Sequence, residues 1–310
     1  MKPRLLFMGS PAIAVPSLKF LLENGYPIVG VVSQPDQPAG RGQKIEPCAV
    51  AEFAREANLP LFQPGGLKGP EVLKTLKSFS PDLILLVAYG KILPREILEI
   101  PKHCVNLHFS LLPKYRGAAP VQWALIHGEE ETGVTTMLMV EKLDAGPILM
   151  QKRVVIEPDE TAEGLGQRLA NSGAHLLIET IGLLEKGDFH PTPQNESDAT
   201  LARSLKKEDG RLDFSNRATM VLNRIRGVTP WPGAFTRFQG KILKVHRAVV
   251  SESGRKGASG EILHLGPKGI EVACGQGSLF FEEVQLEGKK RLSAVDFAHG
   301  SRLEVGMRLE

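Results

Sequence analysis

The residues of this chain best suited to chemistry are an asparagine and a histidine two positions apart, and an aspartate 36 residues after the histidine. Asn106 and His108 stand in the run Val105-Asn106-Leu107-His108, whose apolar and polar alternation is typical of a short strand, so both side chains should project from one face. An amide donor beside an imidazole can polarise a carbonyl group and move a proton, and the carboxylate of Asp144 can orient the ring or relay the proton. The trio indicates an acyl-type transfer site that needs no covalent nucleophile.

The elements around this trio predict an α/β fold. Strands are expected at Leu5–Met8, Ile28–Ser33, Leu59–Phe62, Leu83–Ala88 and Val105–His108, and helices at Pro16–Asn24, Ala49–Ala57 and Glu71–Phe79. This alternation is typical of a Rossmann-like parallel sheet with helices on both faces, in which ligands bind at the carboxyl ends of the strands. Asn106 and His108 fall at such an end. The turn after the first strand lacks Gly-x-Gly-x-x-Gly, so we expect no dinucleotide cofactor.

A second, smaller domain is predicted at the C-terminus. A catalytic domain at 1–189 and a polar, proline-containing linker at 190–206 precede a domain at 207–310. Short strand-like runs separated by glycine turns predict a small, OB-like β-barrel there; they are Ala234–Phe238, Ile242–Val250, Gly260–Leu265, Gly269–Ala273 and Ser278–Val284.

Charge is spread unevenly between the two parts of the chain. Residues 203–310 carry 19 Lys and Arg against 12 Asp and Glu, a balance of +7, whereas residues 1–202 carry 19 against 23, a balance of −4. The basic C-terminal third is consistent with binding to a polyanion such as a nucleic acid. A solvated surface with a chance excess of basic residues is the alternative.

Composition excludes several classes of protein. With 42% hydrophobic and 24% charged residues, and no run near the roughly 20 apolar residues of a membrane helix, the chain is expected to be globular, without membrane association. The N-terminus has only a short apolar run and is predicted to be a buried strand, not a signal peptide. Three widely spaced cysteines indicate neither disulfides nor a metal site and favour reduced thiols, so we expect no metal and a cytoplasmic protein. We also expect a monomer.

Three stretches together carry a family resemblance. Asn106-Leu-His108, the run Ser110-Leu-Leu-Pro-Lys-Tyr-Arg-Gly-Ala-Ala-Pro120 and Leu143-Asp-Ala-Gly146 resemble the folate-dependent formyltransferases, over nearly the whole chain. The long shared run is a specific signal, whereas Asn-x-His alone is not. The resemblance is to those members that formylate methionyl initiator tRNA. It implies 10-formyltetrahydrofolate as co-substrate and direct attack of the amine on the formyl carbon. Asn106 and His108 would stabilise the oxyanion and Asp144 would assist.

The same resemblance implies the binding residues. The folate site would be lined by Ser110, Leu111, Leu112 and Pro113, with Val87, Ala88, Tyr89 and the 139–144 loop around the pterin. The segment 34–44 is rich in Pro, Gly and polar residues, so we expect it to be exposed. It looks like the insertion that folds against the tRNA acceptor end, with Arg41 probing the first base pair and Lys44 beside it. A plain surface turn and a loop without a partner are the alternatives for these two segments.

Two other functions remain open. The first is a formyltransferase acting on a different amine, such as an amino sugar nucleotide or glycinamide ribonucleotide. The second is a nucleic-acid-binding or translation-associated protein that has lost catalysis. The intact trio argues against lost catalysis, and the 34–44 segment with the basic C-terminal third argues against a small amine. Salt-sensitive tRNA binding separates these alternatives, because phosphate contacts weaken steeply with salt.

Overall fold

A computed structural model describes residues 1–39 and 44–310, apart from the side chains of Ala39 and Lys44. The chain divides into two compact units. Unit 1 comprises Met1–Pro120, Glu131–Val155 and Gly166–Arg203, and unit 2 comprises Val121–Glu130, Ile156–Leu165 and Ser204–Glu310. The predicted domain boundaries at 189 and 207 stay predictions.

Strands and helices alternate along the first part of the chain. The strands are β1 (Leu5–Gly9), β2 (Ile28–Val32), β3 (Gln37–Ala39), β4 (Lys44–Glu46), β5 (Leu61–Phe62), β6 (Leu83–Val87), β7 (His103–His108), β8 (Glu131–Leu138) and β9 (Ile148–Val155). The helices are α1 (Val15–Glu23), α2 (Ala49–Glu56), α3 (Pro70–Ser78), α4 (Arg95–Leu98), α5 (Pro120–His127) and α6 (Ala162–Lys186). The alternation is that of an α/β fold.

A mostly parallel sheet forms the centre of unit 1. Its strand order is β5-β2-β1-β6-β7-β8-β9, and the first five of these strands are parallel. The predicted Rossmann-like sheet is therefore confirmed. Strand β8 pairs antiparallel with β7, with Thr135 opposite His108, and β9 pairs antiparallel with β8. Neither strand was predicted, although the β-branched run Val134-Thr135-Thr136 carries the strand signal.

Helices cover both faces of this sheet. On one face, Leu6 of β1 and Leu86 of β6 lie in a buried cluster with Leu76 of α3. On the other face, a Cβ built on Gly173 of α6 would come within 2.7 Å of Leu107 of β7, so the helix approaches the sheet closely there. Burial on both faces explains why β1 and β6 are apolar along their whole length.

The segment predicted as a linker runs along unit 1 as far as Arg203. Thr192 pairs antiparallel with Ile148 at the start of β9, and Leu201 bridges Arg116. The backbone of this segment therefore has protein partners and is not a free tether between residues 190 and 203.

An antiparallel sheet forms the centre of unit 2. Its elements are α7 (Ala218–Gly227), β10 (Ala234–Phe238), β11 (Lys241–Ser251), β12 (Ile262–Gly266), β13 (Gly269–Ala273), β14 (Ser278–Leu286), β15 (Leu292–Ser293) and α8 (Ala294–Gly300). The strand order is β10-β11-β14-β13-β12, and β15 pairs with β14. The five runs predicted as strands all appear here. Val221 and Ile225 of α7 belong to the same buried core as Val245 and Phe281 of the sheet.

The C-terminal tail joins the two edges of the unit 2 sheet. Met307 O accepts from the N–H of Ile262 at 2.8 Å, beside β12, and Glu310 O accepts from the N–H of Arg237 in β10 at 3.1 Å. The tail therefore bonds to both edge strands and protects these edges. The closed OB-like barrel stays a prediction.

Membrane spans and disulfides were both predicted to be absent. Within residues 1–39 and 44–310, no helix combines the length and the apolar character that a membrane span requires. Cys48, Cys104 and Cys274 are free thiols. Burial raises the pKa of Cys104 to about 12 and that of Cys274 to about 11, so both thiols stay protonated at neutral pH.

Candidate active site

A cavity of about 710 Å³ lies at the carboxyl ends of β1, β6 and β7 in unit 1. Ser10, Ala88 and His108, which follow or end these strands, line it. Open parallel sheets bind ligands at this edge, and the volume falls in the range of small-molecule sites. The fold therefore places a cavity where the sequence predicts a ligand site.

The three predicted catalytic residues meet at the wall of this cavity. Asn106 and His108 are 5% and 6% exposed, and project from the same face of β7. The Asn106 Nδ2 atom lies 3.4 Å from Asp144 Oδ1, and His108 Nδ1 lies 3.7 Å from Asp144 Oδ2. An amide, an imidazole and a carboxylate thus converge in a largely desolvated corner, where electrostatic effects are strong.

A backbone carbonyl selects the tautomer of His108. Its Nε2 atom lies 2.8 Å from the carbonyl oxygen of Tyr115. Because a carbonyl oxygen can only accept, Nε2 carries a proton and donates it to Tyr115. The Nδ1 atom is left facing Asp144, so the neutral ring presents a lone pair there. Only after Nδ1 takes a proton can it donate to Asp144 or to a developing oxyanion.

Asp144 is fixed by a glycine from a distant part of the sequence. The N–H of Gly117 donates to Asp144 Oδ2 at 2.8 Å. Gly117 has a φ of 120°, and a Cβ at this position would lie 2.6 Å from the carbonyl oxygen of Ala202. Both the backbone conformation and the available space therefore require glycine here.

We expect Gly117→Ala to destabilise the protein by about 1–3 kcal/mol and to lower kcat by roughly tenfold or more. The new methyl group must displace either its own backbone or the Ala202 carbonyl, and the N–H that holds Asp144 moves with it. Urea unfolding measures the free energy, and a steady-state assay measures kcat.

A second glycine provides the matched control for this substitution. Gly182 in α6 has an ordinary φ and no heavy atom within 4 Å of a built Cβ. Gly182→Ala should leave activity unchanged and stabilise the helix by up to about 1 kcal/mol. If the two variants have the same kcat and the same free energy of unfolding, the role given to Gly117 is contradicted.

Three residues that line the cavity or contact His108 hold left-handed backbone conformations. They are Ala88, Tyr115 and Asp144, with φ of 48°, 61° and 47°. Such conformations cost of order 1 kcal/mol each and cluster at functional sites, where surrounding contacts hold them in place. Their grouping around Asn106 and His108 supports a functional role for the cavity.

The residues predicted to surround the pterin divide into two groups. Ala88, Tyr89 and the 139–144 loop line the cavity. Val87 does not: it pairs with Leu107, on the sheet face opposite Asn106 and His108. Burial raises the pKa of Tyr89 to about 12, so its phenol stays protonated at neutral pH.

The structure does not bring Ser110–Pro113 to the cavity wall. The Ser110 hydroxyl donates to Lys114 O at 2.6 Å, and Ser110 O accepts from the Thr135 hydroxyl at 2.6 Å. Leu112 donates its N–H to Thr135 Oγ1, and its carbonyl accepts from Gln151. Polar groups of Ser110 and Leu112 are thus engaged with β8 and β9. That these four residues bind folate stays a prediction.

Of the two predicted tRNA-binding residues, one lies outside the described part of the chain and the other is described only in its backbone. Arg41 is among the residues that the structure does not describe, and only the backbone of Lys44 is described, as the first residue of β4. Gln37 and Glu46, which pair across the β3–β4 hairpin, line the cavity. One residue of the predicted tRNA-probing segment and one just after it therefore line the same cavity as the catalytic trio.

Several contacts to the trio come from residues to which the sequence pattern assigned no role. Tyr115 and Gly117 contact His108 and Asp144, and Gln194 donates to the backbone carbonyl of Asp144 at 2.8 Å. Only the glycine had a recognisable signal, as a turn former. Across residues 1–39 and 44–310, no three His, Cys, Asp or Glu side chains are grouped closely enough to hold a metal ion.

The sequence that forms these two units matches a known family of enzymes. Residues 3–181 match the formyl transferase family model, and residues 204–302 match the model of the formyl transferase C-terminal domain. The chain therefore belongs to the formyl transferase family.

Curated relatives narrow this assignment. The chain is 48% identical over 307 residues to the methionyl-tRNA formyltransferase of Geobacter sulfurreducens, covering 99% of this chain and 96% of that one. It is 47% identical to the methionyl-tRNA formyltransferase of Myxococcus xanthus, with 98% and 97% covered. Identity at this level over both full lengths places the chain in the methionyl-tRNA formyltransferase branch.

Solved structures with low sequence identity share the fold. HypX from Aquifex aeolicus, in complex with tetrahydrofolic acid, has a TM-score of 0.67 at 19% identity, over 98% of this chain and 48% of that one. WlaRD, a sugar 3N-formyl transferase, has a TM-score of 0.67 at 18% identity, over 94% and 100%. At such identities the likeness concerns the architecture alone.

Proposed function

We propose that the chain transfers the formyl group of 10-formyltetrahydrofolate to the α-amino group of methionyl initiator tRNA, in translation initiation. One observation carries the proposal: a carboxylate, Asp144, stands 3.4 Å from the amide of Asn106 and 3.7 Å from Nδ1 of His108 at a cavity wall. The methionyl-tRNA formyltransferases to which the chain is 48% identical support the choice of substrates.

The reaction proceeds by direct transfer. The neutral amine attacks the formyl carbon, a C–N bond forms, and the carbonyl oxygen becomes an oxyanion. The Asn106 amide donates to this oxyanion, a contact of a kind that contributes on the order of 3 kcal/mol. His108 Nδ1 takes the proton lost by the amine and then donates to the oxyanion, while the Asp144 carboxylate stabilises the imidazolium. The bond from carbon to N10 breaks, and the proton passes to N10.

The folate and the aminoacyl end must occupy the cavity together. Leu86 and Ala88 at the end of β6, with the 139–144 loop, offer apolar contacts and backbone polar groups to the pterin. The folate contacts predicted for Ser110–Pro113, which do not line the cavity, stay a prediction. Because both reactants are held side by side, proximity supplies much of the acceleration.

The polyanionic substrate matches the charge of the C-terminal part. Residues 203–310 carry a balance of +7, suited to tRNA phosphates. We assign Arg41 and Lys44 to the acceptor end of the tRNA. The enzyme acts as a monomer in the cytoplasm, where initiator tRNA is charged.

The test is transfer of labelled formyl from 10-formyltetrahydrofolate to methionyl initiator tRNA. We expect transfer to this acceptor, and none to free methionine, glycinamide ribonucleotide or an amino sugar nucleotide. Transfer to one of those small amines alone refutes the tRNA assignment but retains the reaction type. If no tetrahydrofolate is released with any amine, the proposed catalytic activity is refuted.

Salt dependence gives an independent check on the acceptor. The KM for methionyl-tRNA should rise steeply between 50 and 200 mM salt, by roughly 10-fold or more, because phosphate contacts release counterions. The KM for 10-formyltetrahydrofolate, whose charge is far smaller, should change much less. Equal salt responses of the two constants count against a tRNA substrate.

A further inference from the structure

One glutamine side chain connects the backbone of the Asp144 loop to a buried arginine. Gln194 Nε2 donates to the carbonyl oxygen of Asp144 at 2.8 Å and to that of Gly146 at 2.7 Å. Its Oε1 atom accepts from Nη2 and Nε of Arg116, at 2.8 and 3.0 Å. Both N–H groups and the oxygen of this amide are therefore engaged.

The arginine is itself held firmly. Arg116 is 4% exposed, and its Nη1 and Nη2 atoms bind the two oxygens of Glu196 at 3.2 and 3.0 Å. Glu196 also accepts from Lys142, two residues before Asp144, at 2.6 Å. The bonds from Arg116 and from Lys142 lower the pKa of Glu196 to about 2, so it is a carboxylate at neutral pH. The guanidinium is thus a fixed support for Gln194.

The loop that Gln194 holds adopts a conformation that needs support. Asp144 has a φ of 47°, and Gly146 packs so tightly on Leu138 that a Cβ would lie 1.7 Å from its carbonyl oxygen. Gly117 holds the Asp144 carboxylate, whereas Gln194 holds its main chain. Without Gln194, the carbonyl oxygen of Asp144 loses this hydrogen-bond donor, and the left-handed backbone of Asp144 loses one of its restraints.

We infer that Gln194 is a positioning residue for formyl transfer: it holds the backbone of Asp144 so that the carboxylate stays against Asn106 and His108. This inference rests on the proposed function, which places Asp144 at the reacting atoms. Gln194 acts through Asp144 and need not touch either substrate.

The first test is Gln194→Ala, assayed by formyl transfer to methionyl-tRNA. We expect kcat to fall roughly 10- to 100-fold, since small misplacements of a reacting group are costly. The neighbouring Asn195→Ala is the matched control, because the Asn195 side chain contacts Ser197 and Asp198 at the exposed surface and should leave kcat unchanged. A kcat for Gln194→Ala within about threefold of wild type overturns the inference.

A double-mutant cycle separates positioning from a general structural role. In the Asp144→Asn background the carboxylate is already lost, so Gln194→Ala should lower the residual kcat less than threefold. An equal fold-loss in both backgrounds means that Gln194 does not act through Asp144, and overturns the inference.

A second variant keeps the test valid if Gln194→Ala folds poorly. Gln194→Glu retains the acceptor for Arg116 but has no N–H for the carbonyls of Asp144 and Gly146. We expect it to melt within a few degrees of wild type and to lose kcat at least as strongly as alanine. Wild-type activity in Gln194→Glu overturns the inference, whereas inactivity of the unaltered protein with every amine defeats the proposed function instead.

Discussion

We expect His108→Ala to lower kcat for formyl transfer by roughly 10³-fold, with a much smaller change in either KM. The substitution removes Nδ1, the ring atom that faces Asp144, and with it both the proton acceptor for the amine and one donor to the oxyanion. Because these interactions form mainly as charge develops, their loss should appear in kcat more than in substrate binding. Single-turnover transfer of labelled formyl measures the chemical step directly.

The control for His108 lies on the same strand. His103 begins β7 at the opposite end from the cavity, and its ring packs edge-on against Phe189. His103→Ala should retain wild-type kcat at a temperature where it is folded. A His108→Ala enzyme within tenfold of wild type would remove the imidazole from the mechanism and leave Asn106 as the main group acting on the formyl oxygen.

The second large effect is expected for Asp144→Asn, which should lower kcat by about 10³- to 10⁴-fold. Changing a carboxylate beside a catalytic histidine to an amide has effects of this size. Asparagine has the same shape, and its oxygen can still accept from the Gly117 N–H. What is lost is the negative charge that stabilises the imidazolium once Nδ1 has taken its proton. Steady-state kcat with saturating substrates measures the loss, and a melting curve shows whether the fold is intact.

An exposed aspartate serves as the reference for this change. Asp188 has a 75% exposed side chain and lies outside the cavity lining, so Asp188→Asn should leave kcat unaltered. If Asp144→Asn retains activity within tenfold, its charge is unnecessary, and the residue serves only to hold the loop through Gly117 and Gln194. That result would also count against the inference that Gln194 positions the backbone of Asp144 for catalysis.

Local patterns in the sequence predicted much of unit 1 correctly. Alternation along Val105–His108 places Asn106 and His108 on one face of a strand, and both side chains reach the same cavity. Apolar runs predicted the parallel strands around them, because strands buried on both faces are apolar throughout. Such predictions succeed because the alternation of side chains along a strand, and the apolar character of a buried strand, depend only on residues close together in the sequence.

Contacts across long stretches of chain could not be predicted in this way. Gly117 reaches Asp144 across 27 residues, and Gln194 reaches it across 50. Strand β8 pairs antiparallel with β7, β9 pairs antiparallel with β8, and both strands bond to the backbone of Leu112, within the run predicted to bind folate. Nothing in that local run distinguishes a backbone that faces a ligand from one that bonds to the protein.

The sequence by itself therefore determined the kinds of chemical groups, the strand that presents two of them, and the division of charge between the parts of the chain. Only the tertiary structure decided how the carboxylate of Asp144 is held, which nitrogen of His108 keeps its proton, and which side chains line the cavity. The physical reason is that residue type and spacing fix local geometry, whereas a left-handed aspartate is stable only where distant donors such as Gly117 and Gln194 meet it.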